Sequence, residues 1–141
     1  MDQRFLKSVR EQIPELKVLA DEPMKKHTTF RIGGPADFYA EPDEKQIKKL
    51  LEIAKECDVP VTVVGNGSNL LVGDGGIRGL TVGIGKDLSK IEVSDNTITA
   101  GAGAILAAVA SKAAEASLGG MEFAAGIPGS IGGAVVMNAG A

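Results

Sequence analysis

The chain has 141 residues, of which 44% are hydrophobic and 23% are charged, and its formal net charge is −3. These proportions are ordinary for one folded domain with a real core. The absence of a basic run argues against a nucleic-acid partner. No apolar run approaches the ~20 residues that span a bilayer, and no apolar signal region opens the sequence. The single cysteine, Cys57, cannot form an internal disulfide, so we expect a cytoplasmic protein without a membrane partner.

The first part of the sequence predicts a helix followed by an irregular connector. Asp2 can cap a helix in which apolar residues recur at helical spacing from Phe5 to Ile13, and Pro14 ends it. Residues 15–26 are expected to connect this helix to the rest of the chain. We therefore predict a helical leader over residues 1–24.

A β-α-β unit is predicted next. Strand character at residues 37–41 and 61–64 flanks an amphipathic helix over residues 43–57, in which Asp43 and Gln46 have the spacing of a capping box. Such a unit predicts two parallel strands joined by a right-handed crossover. Further strands are predicted at residues 28–32, 70–72, 81–84, 91–94 and 97–100, with a hairpin turn at 95–96, and a largely buried alanine-rich helix at 104–117.

Three single side chains are candidates for chemistry, and each has a structural explanation as well. Cys57 is expected to be a small buried hydrophobe, because no histidine is placed to activate it. His27, the only histidine, follows two lysines and is expected to be a solvated surface residue. Arg31 could meet a phosphate, or it could form a structural ion pair.

Two glycine-rich segments are the stronger candidates. The final one, residues 126–141, is uncharged and reads GIPGSIGGAVVMNAGA, so we expect it to be buried against something. A helix starting near Ser130 would present free N–H groups to an anion. The other segment, residues 65–69, reads GNGSN and offers backbone and neutral side-chain donors that suit a diphosphate. Either segment could instead be a structural turn.

Spacing excludes the common phosphate and metal motifs. A G-x-G-x-x-G fingerprint that starts at Gly65 or at Gly101 lacks its third glycine. The Gly85-Lys86 pair lacks the other residues that a Walker A loop requires. One histidine and one cysteine cannot build a zinc site, so no metal is predicted. Two glycine-rich loops acting together remain as the predicted binding plan.

Five segments carry a resemblance to a known family. They are TTFRIGGPAD at residues 28–37, GNGSNLL at 65–71, GGIRG at 75–79, GMEF at 120–123 and AGIPGSIGGAVVMNAGA at 125–141. In this order and at these intervals the chain resembles the FAD-binding region of the UDP-N-acetylenolpyruvoylglucosamine reductases, the MurB enzymes of bacterial cell-wall synthesis. The last motif is highly specific, whereas GNGSN alone is not.

The resemblance implies an α+β fold of the vanillyl-alcohol-oxidase type, incomplete at its C-terminus, in which two small α/β subdomains clasp FAD. Residues 1–141 would form this FAD-binding domain. In the implied reaction NADPH reduces FAD, and hydride then passes to the enolpyruvyl double bond of UDP-N-acetylglucosamine enolpyruvate to give UDP-N-acetylmuramate. The cofactor-binding residues that the resemblance implies are Gly65, Asn66, Gly67, Ser68, Asn69, Leu70, Gly126, Ile127, Pro128, Gly129, Ser130, Gly132, Gly133, Asn138, Gly140 and Ala141.

By this resemblance the family's catalytic arginine, serine and glutamate fall beyond Ala141. No catalytic residue is therefore predicted here, and turnover and UDP-sugar binding are expected only with that later part. We also expect exposed apolar surface near Val135, Val136 and Met137. Two other interpretations stay open: a module that binds no flavin and self-associates, and another flavin oxidoreductase of the same superfamily.

Overall fold

The computed structural model of the protein describes residues 3–140. The predicted cap at Asp2 and the predicted site residue Ala141 lie outside the described residues. The first helix, α1 (Gln3–Gln12), forms as predicted and buries Phe5 and Val9. Within residues 3–140, no helix combines the length and apolarity needed to cross a membrane.

A four-stranded sheet forms the first unit of the fold. Its strands and their connecting helix are β1 (Val18–Pro23), β2 (Pro35–Ala40), α2 (Gln46–Glu56), β3 (Val61–Val64) and β4 (Ile77–Gly83). The strand order is β1-β2-β4-β3. Strand β1 is antiparallel to β2, whereas β4 is parallel to both β2 and β3.

The predicted β-α-β unit is present, but its two strands are not neighbours. Strand β4 lies between β2 and β3 and pairs with both. Leu80, Thr81 and Val82 of β4 are all fully buried, because both faces of this central strand are covered. A strand with both faces covered suits the middle of a parallel sheet.

Three local predictions on the sheet side are wrong. Residues 18–23 of the predicted connector form strand β1, whose charged residues and Pro23 are tolerated because β1 is an edge strand. Residues 28–32 and 70–72 are irregular instead of extended. Residues 28–32 are held against the loop of residues 65–69, because Thr29 N–H donates to the Gly67 carbonyl at 3.0 Å.

The main core lies between the sheet and helices α1 and α2. Phe5, Phe38, Leu50 and Leu80 are central to it, and the rings of Phe5 and Phe38 lie 5.1 Å apart. Cys57 is buried at the edge of this core, as predicted.

The capping box before α2 is confirmed. The Asp43 carboxylate accepts from Gln46 N–H at 2.8 Å, and the Asp43 N–H donates to the Gln46 side chain at 3.1 Å. These two bonds satisfy backbone groups that have no partner inside the helix.

A smaller unit follows the sheet. It contains β5 (Ile91–Ser94), β6 (Thr97–Ala100), α3 (Leu106–Glu115) and α4 (Ile131–Met137). Strands β5 and β6 form the predicted hairpin with its turn at residues 95–96. Helix α3 is less buried than predicted, because only one side of it, including Leu106 and Val109, is covered. Short 3-10 helices occupy Met24–Lys26, Lys86–Leu88 and Glu122–Gly126.

Candidate functional site

The first glycine-rich loop, residues 65–70, follows the carboxyl end of β3 directly. Its backbone turns at Gly67, which has a φ of +66°, and the Gly67 carbonyl accepts the bond from Thr29. Among the described residues, no acceptor is found for the backbone N–H groups of residues 65–70. A row of free N–H groups at the end of a parallel strand is suited to an anion.

The second loop, residues 126–133, is anchored to the start of α3. Leu106 N–H donates to the Gly129 carbonyl at 3.0 Å, and Ile131 N–H donates to the Ala104 carbonyl at 2.8 Å. Helix α4 does begin after Ser130, whose hydroxyl accepts from Gly133 N–H at 3.4 Å. The N–H groups of Gly129 and Ser130 donate to no acceptor within residues 3–140.

The two loops meet. A β-carbon placed on Gly65 would lie 2.6 Å from the Ser130 hydroxyl oxygen, and one placed on Gly129 would lie 3.1 Å from the Ser68 hydroxyl oxygen. A side chain at Gly65 would therefore overlap the opposite loop. The structure thus brings together two sets of free backbone donors on segments more than fifty residues apart in sequence.

The other residues that the resemblance implies are arranged less uniformly. Asn66 and Asn69 are exposed, and neither side-chain amide has a hydrogen-bond partner in the described part of the chain. Leu70 packs against the buried cluster that includes Met24 and Val72, and Ile127 packs against the cluster that includes Leu106 of α3. These two apolar side chains support their loops. Pro128 and Gly126 are exposed, and Gly132 N–H donates to the Ala102 carbonyl.

The end of the final segment is not part of this junction. Asn138 adopts a left-handed conformation with φ of +47° at the opposite end of α4 from Ser130, and Gly140 follows it. A helix of seven residues separates the two ends by about 10 Å. The expectation that the whole segment is buried is wrong, since only Gly129 and Ser130 within residues 126–140 are buried.

The apolar exposure predicted for α4 is confirmed. Val135, Val136 and Met137 are 76%, 83% and 60% exposed. Helix α4 contains no buried residue, and even Ile131 and Ala134, which pack against the cluster around Leu106, are only partly buried.

Sequence reasoning missed a pocket beside the first loop. It has a volume of about 420 Å³ and includes Gly65 and Asn66 in its wall. The rest of its lining comes from Lys26, His27, Thr28, Thr29, Arg31, Tyr39, Glu41 and Ile84. Glu41 and Ile84 follow the carboxyl ends of β2 and β4, where ligands bind in open parallel sheets. That rule is the signal that could have identified the pocket, had the strand order been known.

The prediction for His27 is wrong, because its ring is packed instead of solvated. The ring stacks on Tyr39 with centroids 4.0 Å apart, and Nε2 lies 3.0 Å from the Glu22 carboxylate. Burial acts to raise the pKa of Glu22, but hydrogen bonds and charge from His27 and Lys26 outweigh it and hold that pKa below its usual value. Arg31 lines the pocket and forms no ion pair within the described residues.

Tyr39 connects this packed cluster to the pocket. Its hydroxyl donates to the Glu41 carboxylate at 2.7 Å. Burial first, and then the bond to Glu41, raise the pKa of Tyr39 well above its usual range, so the phenol keeps its proton and remains a donor. No group of three or more histidine, cysteine or acidic side chains is placed for a metal ion within residues 3–140.

A family described as FAD binding domain matches residues 36–141 of the chain. The chain belongs to this family. Its FAD-binding assignment confirms the cofactor predicted from the sequence, and both glycine-rich loops lie inside the matched range. The free backbone donors at the loop junction fit the diphosphate of such a cofactor.

Named relatives agree with the resemblance. The chain is 71% identical to the UDP-N-acetylenolpyruvoylglucosamine reductase of Agathobacter rectalis, over 100% of this chain and 49% of that protein. It is 57% identical to the reductase of the same name from Desulforamulus reducens, over 86% of this chain and 40% of that one. The chain therefore spans about half or less of the length of these relatives.

A solved structure supports the fold. The crystal structure of UDP-N-acetylenolpyruvylglucosamine reductase (MurB) from Thermus caldophilus matches with a TM-score of 0.70 and 35% sequence identity. The match covers 90% of this chain and 43% of that one. The predicted α+β, FAD-binding fold class is confirmed.

Proposed function

We propose that the chain binds FAD across its two glycine-rich loops as the FAD-binding part of a UDP-N-acetylenolpyruvoylglucosamine reductase. The single observation that supports this most is the junction of the loops, where residues 65–70, whose N–H groups have no acceptor among the described residues, lie next to Gly129 and Ser130. Backbone donors bind a diphosphate without needing a counter-charge. In this proposal residues 1–141 form one FAD-binding domain.

The chain's own residues have three tasks in the proposal. The loop N–H groups hold the diphosphate, and the exposed amides of Asn66 and Asn69 add neutral donors. The absence of a side chain at Gly65 lets the two loops approach each other closely. When bound, FAD supplies a centre that accepts and passes on hydride.

The activity of the whole enzyme is part of the same proposal. The names of the relatives support a reductase that acts on UDP-N-acetylenolpyruvoylglucosamine. From the resemblance we propose that NADPH is the reductant and UDP-N-acetylmuramate the product, and that the enzyme serves cytoplasmic peptidoglycan synthesis and so cell shape and division. The UDP-sugar would be bound only with residues of the relatives that this chain does not span. Neither a nucleic acid nor a membrane is needed as a partner.

The proposal is tested by titrating FAD into the purified chain while following flavin fluorescence. The Asn69→Ala variant should bind at least about 10-fold more weakly, because a hydrogen bond to a charged group is worth about 1.5–3 kcal/mol. Gln12→Ala is the matched control, since it removes an exposed amide at the end of α1. A folded chain that gives no saturable change with FAD would overturn the proposal.

A second candidate function rests on the exposed face of α4. Val135, Val136 and Met137 form an apolar surface at one end of the smaller unit, and such a surface favours self-association. Sedimentation of the chain with and without FAD separates the two functions. A concentration-dependent oligomer that binds no flavin would favour the second candidate.

A further inference from the structure

The pocket beside the first loop contains a carboxylate that is held in one place. Glu41 follows the last residue of β2, and one of its oxygens accepts the Tyr39 hydroxyl at 2.7 Å. Its side chain lies over the end of β4, where a β-carbon placed on Gly85 would be 2.8 Å from the other carboxylate oxygen. A β-carbon on Gly83 would be 3.0 Å from Cγ of the same side chain. Glycine at both positions leaves the room that this orientation needs.

The Glu41 carboxylate has no cationic partner among the described residues. Lys26 and His27, which line the same pocket, are both paired with Glu22 at 3.2 Å and 3.0 Å. Arg31 also lines the pocket without an ion pair in residues 3–140. The pocket therefore combines an uncompensated guanidinium with an oriented, uncompensated carboxylate.

The charges of Arg31 and Glu41 indicate which chemical groups a ligand of this pocket would carry. An uncompensated guanidinium attracts a phosphate, whereas an ionised carboxylate is an acceptor only and needs O–H or N–H donors. A ligand with both features is a phosphorylated polyol. We propose that Glu41 accepts hydrogen bonds from sugar hydroxyl groups of the bound nucleotide, and that Tyr39 is the positioning residue that aims the carboxylate.

This inference rests on the proposed FAD site, because the hydroxyl groups are assigned to a dinucleotide whose diphosphate lies on residues 65–70. Gly65 and Asn66 line the same pocket as Glu41, so a sugar attached to that diphosphate would enter it. FAD has two such sugars, the ribityl chain and the ribose. Both the ribityl chain and the ribose carry hydroxyl groups that could donate to Glu41, and the experiment below distinguishes between them.

The test compares FAD affinity in the wild-type chain and in Glu41→Ala by flavin fluorescence titration. If the carboxylate accepts hydroxyl bonds, the variant should bind FAD about 10-fold more weakly. If Glu41 is only a negative charge near a diphosphate, its removal should leave binding unchanged or strengthen it, since like charges repel. The sign of the change therefore decides the inference. Glu52→Ala is the control, because it removes an exposed carboxylate from α2, outside the pocket lining.

Two competitors identify the sugar. Displacement by FMN reports on the ribityl chain, and displacement by ADP reports on the ribose. Weaker binding of only one competitor to Glu41→Ala assigns the carboxylate to that sugar, and weaker binding of both supports contacts along the whole ligand. Unchanged binding of FAD, FMN and ADP overturns the inference while leaving the FAD site intact. A folded wild-type chain that binds no FAD instead overturns the proposed function.

The role of Tyr39 is tested by coupling. Tyr39→Phe keeps the ring that stacks on His27 and removes only the hydroxyl donor. It should weaken FAD binding about 3-fold in the wild-type background and have no effect in Glu41→Ala, because there is then no carboxylate to aim. Equal losses in both backgrounds would show that Tyr39 acts only through folding, and would overturn its positioning role.

Discussion

Replacing Gly67 by alanine tests whether the first loop depends on its contact with residues 27–29. Gly67 has a φ of +66°, which costs a residue with a β-carbon about 1–2 kcal/mol. A β-carbon there would lie 2.0 Å from the His27 carbonyl oxygen and 3.1 Å from the Thr28 α-carbon. Both neighbours are backbone atoms, so relief needs a shift of the loop, which costs about 1–3 kcal/mol. We expect Gly67→Ala to lower the free energy of unfolding by about 2–5 kcal/mol.

Urea unfolding followed by circular dichroism measures this loss. Gly73→Ala is the matched control, because Gly73 lies in the same part of the chain and has no positive φ. A β-carbon placed on Gly73 would also meet no atom within 4 Å. The control should stay within about 0.5 kcal/mol of the wild type. Equal unfolding free energies for the two alanine variants would refute the reasoning.

Two further substitutions test buried polar groups. Thr81 is fully buried, and its hydroxyl has no hydrogen-bond partner within residues 3–140. The Thr81→Val variant should therefore have a free energy of unfolding, measured in urea, about 1 kcal/mol higher than the wild type. A value lower than that of the wild type would contradict the reasoning. The folded-state pKa of Glu22 lies below its usual 4.5, so its stabilisation is complete above about pH 4.5 and is lost as the pH falls through the lower folded value. The Glu22→Gln variant should therefore be about 1 kcal/mol less stable than the wild type at pH 7, and this difference in stability should shrink in acid. A difference that does not depend on pH would show that the pairing of Glu22 with Lys26 and His27 contributes nothing.

Helices and hairpins were predictable because their signals are local. The apolar spacing of α1, the capping box at Asp43 and the two-residue turn at 95–96 each lie within a few residues of sequence. Each of these patterns can therefore be recognised without knowing the rest of the fold.

The order of the strands was not predictable from such signals. Strand β4 pairs with both β2 and β3, although β3 and β2 are closer to each other in sequence than β4 is to β2. Pairing is decided by which strand has both faces covered, and that depends on the complete core. Strand β1 was missed because an edge strand does not need a continuous apolar face.

The two loops of the site were identified by composition and by resemblance, whereas the pocket was not. His27 was predicted to be a surface residue because its neighbours in sequence are Lys25 and Lys26. Its actual surroundings come from Glu22 on β1 and Tyr39 on β2. No sequence window that contains His27 alone shows that β1 and β2 pair around it.

The position of the loop junction explains why backbone donors, and not charged side chains, form its centre. Residues 65–70 belong to the sheet unit, and residues 126–133 are anchored to α3 in the smaller unit. A charged side chain buried between two units would carry a large desolvation cost whenever no ligand paired with it. Backbone N–H groups carry no net charge, so leaving them without a ligand costs much less than leaving a buried charge unpaired. The charges of the region, at Arg31 and Glu41, are accordingly at the wall of an open pocket, where water can solvate them before a ligand binds.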